Sequence, residues 1–262
     1  MNLDSLPVWF VFGSMIVIVL VTIELGRLLG NTARRRWKNE KEAPASSVTG
    51  PVIGFAAFML AFTFSIVWDR YDSRKGLVRE DAIAIRTAWE RSDFLPEADR
   101  AEALSLFSEY VEARVAFAEA GRRDPERVKT VLADTKRVQA RLWDMAVVNA
   151  RKDMNSDVAA LYLESLNAMN AVHLKRVALG IQARVPFEIW LVLFSITILG
   201  MMGLGYQAGI AESRRSITWA IIALAFGLGF TVIFALDHPD SGYLKVSQQP
   251  LLELRDSIRT KL

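Results

Sequence analysis

Cysteine is absent from the 262 residues, and histidine occurs only twice. The first absence excludes disulfides, thiolate zinc sites, iron–sulfur clusters and thiol catalysis. Both together leave too few ligands for a conventional transition-metal site, and no cofactor is implied. Also missing is any nucleophile set beside a base, any glycine loop of the phosphate-binding kind and any metal-ligand spacing, so an enzyme is not expected. The formal net charge of +3 is a small excess for this length and carries no nucleic-acid signal. Finally, no Lys or Arg precedes the first apolar stretch in MNLDSLP, where a secretory signal would carry a basic region. That stretch is therefore expected to be a retained helix.

What the chain does have is apolar residues, 52% of the total, concentrated towards its two ends while the charge lies in the middle. A bilayer core of about 30 Å needs about 20 helical residues. Four charge-free windows reach that length: Leu6–Ile23, Gly50–Trp68, Ile189–Ala211 and Ile217–Leu236. Buried soluble helices are the competing reading, but four such runs would leave too little polar surface to cover them. Pro7, Pro51 and Pro186 each precede an apolar run, and proline is tolerated in a first helical turn. Trp9, Trp68, Trp190, Tyr206 and Trp219 lie near the span ends, as in an aromatic belt. The expected fold is an all-α membrane protein of four transmembrane helices, with a helical bundle inserted between spans 2 and 3. The corresponding segments are 1–68, 69–185, 186–236 and 237–262.

In the middle segment the pattern is amphipathic. No breaker follows Trp68, so the second span is expected to run on as one helix to Leu95, ended by Pro96. A second bundle helix, from about Pro96 to Glu119, carries Leu104, Phe107, Val111 and Val115 on one face and stops at the GRRDP turn. The third opens with Asp124 as N-cap and Pro125 behind it, and places Val128, Leu132, Thr135, Val138, Leu142 and Met145 on one stripe. The fourth begins near Asn155 or Ser156 with Val158, Leu161, Met169 and Val172 inward, and runs to Arg184. After the last span, GYLKV reads as a short extended piece, and Pro250 starts a short helix with Leu251, Leu254 and Ile258 on one side.

The short connections between spans are basic: Arg27, Arg34, Arg35, Arg36, Lys38 and Lys41 in the first, Arg214 and Arg215 in the second. Short loops rich in Lys and Arg stay cytoplasmic, which puts the 69–185 bundle outside the cytoplasm of an inner-membrane protein.

Three segments carry a resemblance: GFAAFMLAFTFSIVWDRYDSRKGLVREDAIAIRTAWERSDFLP, LNAMNAVHLKRVALGIQARVP and LDHPDSGYLKVSQQPLLELRDS. Together they resemble a bacterial membrane-protein family labelled bestrophin-like, over most of the chain. The link onward to bestrophins, which are pentameric anion channels, rests on an aromatic-rich second span running into Asp69, Arg70 and Tyr71. That resemblance implies four spans per subunit and a helical domain between the second and third. In bestrophins this domain is cytosolic, opposite to the charge reading. The acidic calcium clasp of the animal members has no counterpart in the C-terminal segment, so calcium gating is not carried over.

Phe55, Phe58 and Phe62 fall at i, i+3 and i+7 on the second span, with Ile66 a further turn on. Bestrophins line a narrow neck with apolar side chains on this helix, which makes these four pore-lining candidates, since hydrophobic constrictions can gate by dewetting. Ordinary packing suits Phe equally well. Asp69, Arg70 and Arg74, in a cluster with Asp72 and Lys75, are pore-mouth candidates; interfacial salt bridges are the other reading. Glu24 is expected to pair with Arg27. Gly205 and Gly209 form a GxxxG suited to close helix packing, and Gly227 and Gly229 sit in the fourth span. His173 and His238 read as surface or packing residues.

Four helices of one chain would fill their own interior, so a pore needs a homo-oligomer. The leading reading is an oligomeric channel in the lipid bilayer, conducting small anions. The rival is a non-conducting membrane module whose bundle binds a partner or senses a stimulus.

Overall fold

Helix α1 (Val8–Arg36) starts directly after Pro7, whose carbonyl accepts the Phe10 amide at 3.0 Å. The computed structural model describes residues 6–36, 42–120, 124–182, 184–213, 217–238 and 244–261. It is an all-α membrane protein: among the described residues there are no strands, and four helices are long and apolar enough to cross a membrane. The chain forms two compact units. One comprises Met1–Asp69 and Arg184–Leu244, the other Arg70–Ala183 and Lys245–Leu262.

The first unit holds α1, the start of α2 (Glu42–Arg91), α6 (Phe187–Ile210) and α7 (Ile217–Asp237). Its core gathers Met15, Val19 and Ile23 of α1, Leu193 and Met201 of α6, and Ala223 and Phe230 of α7. Helices α1 and α6 cross at backbone contact. A methyl at Gly205 would overlap the Ile23 carbonyl, one at Gly209 the Arg27 carbonyl, and in return one at Gly26 the Met202 carbonyl and one at Gly30 the Tyr206 carbonyl. Two GxxxG motifs thus face each other, Gly26 and Gly30 against Gly205 and Gly209. Without water to drive association, such close approach and its dispersion energy hold membrane helices together. Gly205→Ala should therefore destabilise the protein by about 1–3 kcal/mol, the usual cost of overpacking. Gly229→Ala, where an added methyl meets nothing within 4 Å, should be neutral or stabilising. Thermal unfolding of the two variants in one detergent separates them.

At the end of α7, Asp237 ties the chain back to the start of α6. Its side chain accepts the Val185 amide at 3.1 Å, its carbonyl accepts from Arg184, and His238 stacks on Phe234 at 4.2 Å.

Two expectations about this unit change. Helix α1 runs on through Arg27 and Arg34–Arg36, so these basic residues lie on the helix rather than in a loop; at about 1.5 Å per residue it outlasts the bilayer core. Pro51 lies inside α2, which already begins at Glu42. Proline there starts nothing and only withholds an N–H from the ladder, a loss that neighbouring membrane helices tolerate. Lys38, Lys41, Arg214 and Arg215, like the GRR of the GRRDP turn, lie outside the described residues.

In the second unit α2 ends at Arg91, tightens into a 3₁₀ turn at Ser92–Phe94, and leaves Leu95 extended (φ −72°, ψ 151°) ahead of Pro96. That is the conformation proline imposes on its predecessor. Helix α3 (Glu97–Ala120) buries Phe107, Val111 and Val115, with Leu104 half-buried. Helix α4 (Pro125–Ala150) is capped by Asp124, whose side chain accepts the Arg127 amide at 3.0 Å. Its buried stripe uses Val131 beside Thr135, Val138, Leu142 and Met145, leaving Val128 and Leu132 only half-buried.

Helix α5 (Asp157–Val177) is capped by Ser156, which accepts the Ala159 amide at 3.2 Å. Its rotation differs from the expectation. Met169 is buried as expected, but Val158 and Leu161 are exposed and Val172 half-buried, while Tyr162, Ser165, Leu166, His173 and Arg176 face inward. That face carries Tyr162, Leu166 and Met169 into the bundle core, and Arg176 on the same face meets the buried Asp81 of α2. A single π-turn, Ala178–Gln182, follows. Leu244–Gln248 is neither helix nor paired strand, and the first two residues of GYLKV lie outside the described residues. Helix α8 (Gln249–Lys261) then inserts Leu251, Leu254 and Ile258 into the same core as Ile85, Phe107 and Leu166.

Candidate functional site

Within the apolar part of α2, Ala56, Thr63 and Val67 are buried, and Ile53 and Thr49 meet α6 at Gly200 and Gly203. At about 100° per residue these positions share one side of the helix, which leaves Phe55, Phe58 and Phe62 on the other. They are 52%, 62% and 56% exposed, so the chain's own helices do not cover them. Phe58 and Phe62 stack, with ring centroids 6.5 Å apart, into a nearly continuous aromatic surface. Ile66, at the edge of this surface, is half-buried. Phe64 projects from the flank of the packed side, is 40% exposed and stacks on Trp68 at 6.2 Å.

Asp69, at the end of this stretch, is exposed. Arg70 is half-buried, and its Nη1 reaches no hydrogen-bond partner among the described residues. Arg74 turns the other way: its side chain is buried in the bundle and its Nε donates to the Leu179 carbonyl at 3.4 Å. Lys75 pairs with Asp72 at 3.6 Å and lies over the Tyr71 ring. On α1 the expected Glu24–Arg27 pair forms at 3.1 Å, and the Arg27 guanidinium also sits 6.0 Å from the Trp219 ring. Gly205 and Gly209 pack within the chain, against α1, as described above.

A second cluster has no counterpart among the site residues singled out from the sequence. Inside the bundle, the fully buried Asp81 of α2 accepts from Arg114 Nε of α3 at 3.0 Å and, on the same oxygen, from Arg176 Nη1 of α5. Arg176 Nη2 continues to Gln248 Oε1 at 3.0 Å, and Gln139 donates to the Tyr110 hydroxyl at 3.1 Å. Burial pushes the Tyr110 hydroxyl up to about 12 and, with Arg114 and Arg176 adding to it against Asp81, holds the His173 imidazole down at about 4. His173 is therefore neutral at pH 7. The available signal was periodicity: Arg114 stands three residues beyond Val111 and seven beyond Phe107, on the apolar face of its helix, as Arg176 stands seven beyond Met169.

A four-span helical membrane protein with an inserted helical bundle is the class these features define. Residues 15–251 match the Bestrophin-like domain, and the chain belongs to that family. Among solved structures it is similar in fold to two point-mutant forms of a bestrophin homolog from Klebsiella pneumoniae. The first has a TM-score of 0.64 at 18% identity, covering 94% of this chain and 98% of that one. The other gives 0.65 at 16% identity, covering 96% and 97%. A variant of a membrane protein is similar at a TM-score of 0.62 and 19% identity, covering 95% and 96%. No curated protein matches the sequence.

Proposed function

We propose that the protein is a channel subunit, several copies of which assemble in the bilayer with their second spans around an ion pathway. The observation that carries this reading is the aromatic stripe: Phe55, Phe58 and Phe62 are left uncovered by their own chain on a helix whose other side is packed. Small anions are the proposed cargo, from the resemblance to bestrophins. Ile66 flanks the constriction, Asp69 and Arg70 stand near its mouth, and Arg74 serves the bundle instead. Segments 1–68 and 186–236 form the membrane part in this reading, 69–185 the bundle and 237–262 the C-terminal segment. The test is twofold. Light scattering of the detergent-purified protein should give a multiple of the chain mass, and liposomes containing it should pass chloride faster than empty ones. A monomer, or no flux across several salts and pH values, overturns the proposal.

The competing reading, a partner-binding membrane module, is favoured by one feature. A groove of about 400 Å³ between α2 and α5 combines apolar lining at Ile83, Ala84 and Val172 with the charged Glu80, Arg91 and Glu164, and Ile83 is 65% exposed. Absence of flux together with retention of a partner on this groove would decide for it.

The membrane is taken to be the inner one, with the bundle outside the cytoplasm because the cationic residues cluster where α1 ends. As the protein has no cysteine, Ala133→Cys on the exposed side of α4 gives a single label. A membrane-impermeant thiol reagent, with outer-membrane access controlled, should label it in intact cells. Labelling only after inner-membrane permeabilisation would show the opposite orientation.

A further inference from the structure

Among the described residues, the bundle core holds more positive charge than it compensates. Arg114 and Asp81 are fully buried and Arg176 is 8% exposed, so two guanidinium groups share one carboxylate, and both use the same oxygen of it. Neither terminal nitrogen of Arg114 has a hydrogen-bond partner among the described residues, and the Nδ1 of His173 has none either. The Phe117 ring lies 5.3 Å from the Arg114 guanidinium and offers it a cation–π contact but no hydrogen-bond acceptor oxygen. Turning the Asp81 carboxylate so that its second oxygen met Arg114 would satisfy one N–H and leave the charge count unchanged. Buried donors of this kind call for a water or an ion as partner, and water would meet the hydrogen bonds but not the excess charge.

We propose that the bundle binds a small monovalent anion of halide size against the terminal nitrogens of Arg114, flanked by Arg176 and His173. Nδ1 of His173 carries the proton in the bound form and donates to the anion, as the tautomer of a neutral imidazole follows the hydrogen bonds on offer. The site lies wholly among α2, α3 and α5 of the bundle. It is separate from the aromatic stripe and does not rest on the protein being a channel.

The experiment measures the thermal midpoint of the full-length protein in detergent, in sodium chloride and in sodium gluconate at equal ionic strength. Chloride should raise it saturably, by on the order of 5 °C, as a ligand that binds only the folded state does. Arg114→Met keeps the side-chain length, removes the excess charge and should abolish the difference between the salts. Should that variant not fold, Asp81→Asn serves instead: it keeps an acceptor but enlarges the excess, so its dependence on chloride should exceed that of the wild type. Bromide-soaked crystals should show an anomalous peak in contact with Arg114. Equal wild-type midpoints in both salts, a full chloride effect in Arg114→Met, no greater effect in Asp81→Asn, or bromide density absent from Arg114 would each overturn the site. None of these readouts is ion flux, so they stand or fall apart from the channel reading.

Discussion

Replacing Asp81 by leucine is expected to lower the stability of the bundle by about 3–5 kcal/mol, the range seen when one partner of a buried ion pair is removed. The reason is what remains. Arg114 and Arg176 would stay buried with no anionic oxygen between them, at a depth where the desolvation of a guanidinium is no longer offset. The loss should appear in chemical denaturation of the detergent-solubilised protein followed by circular dichroism. Combining Asp81→Leu with Arg114→Met should recover much of it, because the second change removes one of the stranded cations. A surface comparison calibrates the effect: Glu102 holds Arg141 at 2.6 Å, but both side chains are well exposed, and Glu102→Ala should change stability only slightly. If Asp81→Leu behaved like Glu102→Ala, the buried cluster would not be holding α2, α3 and α5 together.

The four spans are legible because hydrocarbon thickness fixes a length, and each span answers it with an uninterrupted apolar run. Helix ends are legible where one side chain does the work: Asp124 accepts its amide as expected, and Pro96 forces Leu95 out of helix, whereas the start near Asn155 or Ser156 resolves to a Ser156 cap only in the fold. Rotation about the axis is another matter. On α5, Val158, Leu161 and Val172 make an apolar face that looks inward, yet the helix packs through Tyr162, Leu166 and Met169 and so carries His173 and Arg176 to the core, where Asp81 meets the guanidinium. A pairing between residues 95 positions apart has no local signature. The glycines are similar: Gly205 and Gly209 mark a close approach, but only the three-dimensional crossing reveals Gly26 and Gly30 as the other half of it. Phe55, Phe58 and Phe62 were visible as a stripe from spacing alone, and the fold adds that their own chain leaves them uncovered.

Phe58→Ala is expected to raise ion flux, by on the order of twofold or more, or to weaken gating, in liposomes reconstituted with the protein. Inward-pointing phenyl rings from several symmetry-related copies of α2 would offer a passing ion few polar partners, and a narrow apolar ring can empty itself of water. Phe58 is the middle ring of the stripe and stacks directly on Phe62, so truncating it in every copy should both widen and wet the narrowest point. Its exposure of 62% in the single chain also means that the chain's own core loses little by the change, which keeps a flux effect separable from misfolding. Phe64→Ala is the matched control. Phe64 lies about 160° around the helix from Phe62 and stacks on Trp68, so its loss should act on packing and leave permeation near the wild-type level. Thermal midpoints of both variants, measured beside flux, show whether each is folded. If flux changes equally in the two variants, the stripe is a packing surface and the ion pathway lies elsewhere. If Phe58→Ala alone passes more chloride at an unchanged midpoint, the constriction is the ring of Phe58.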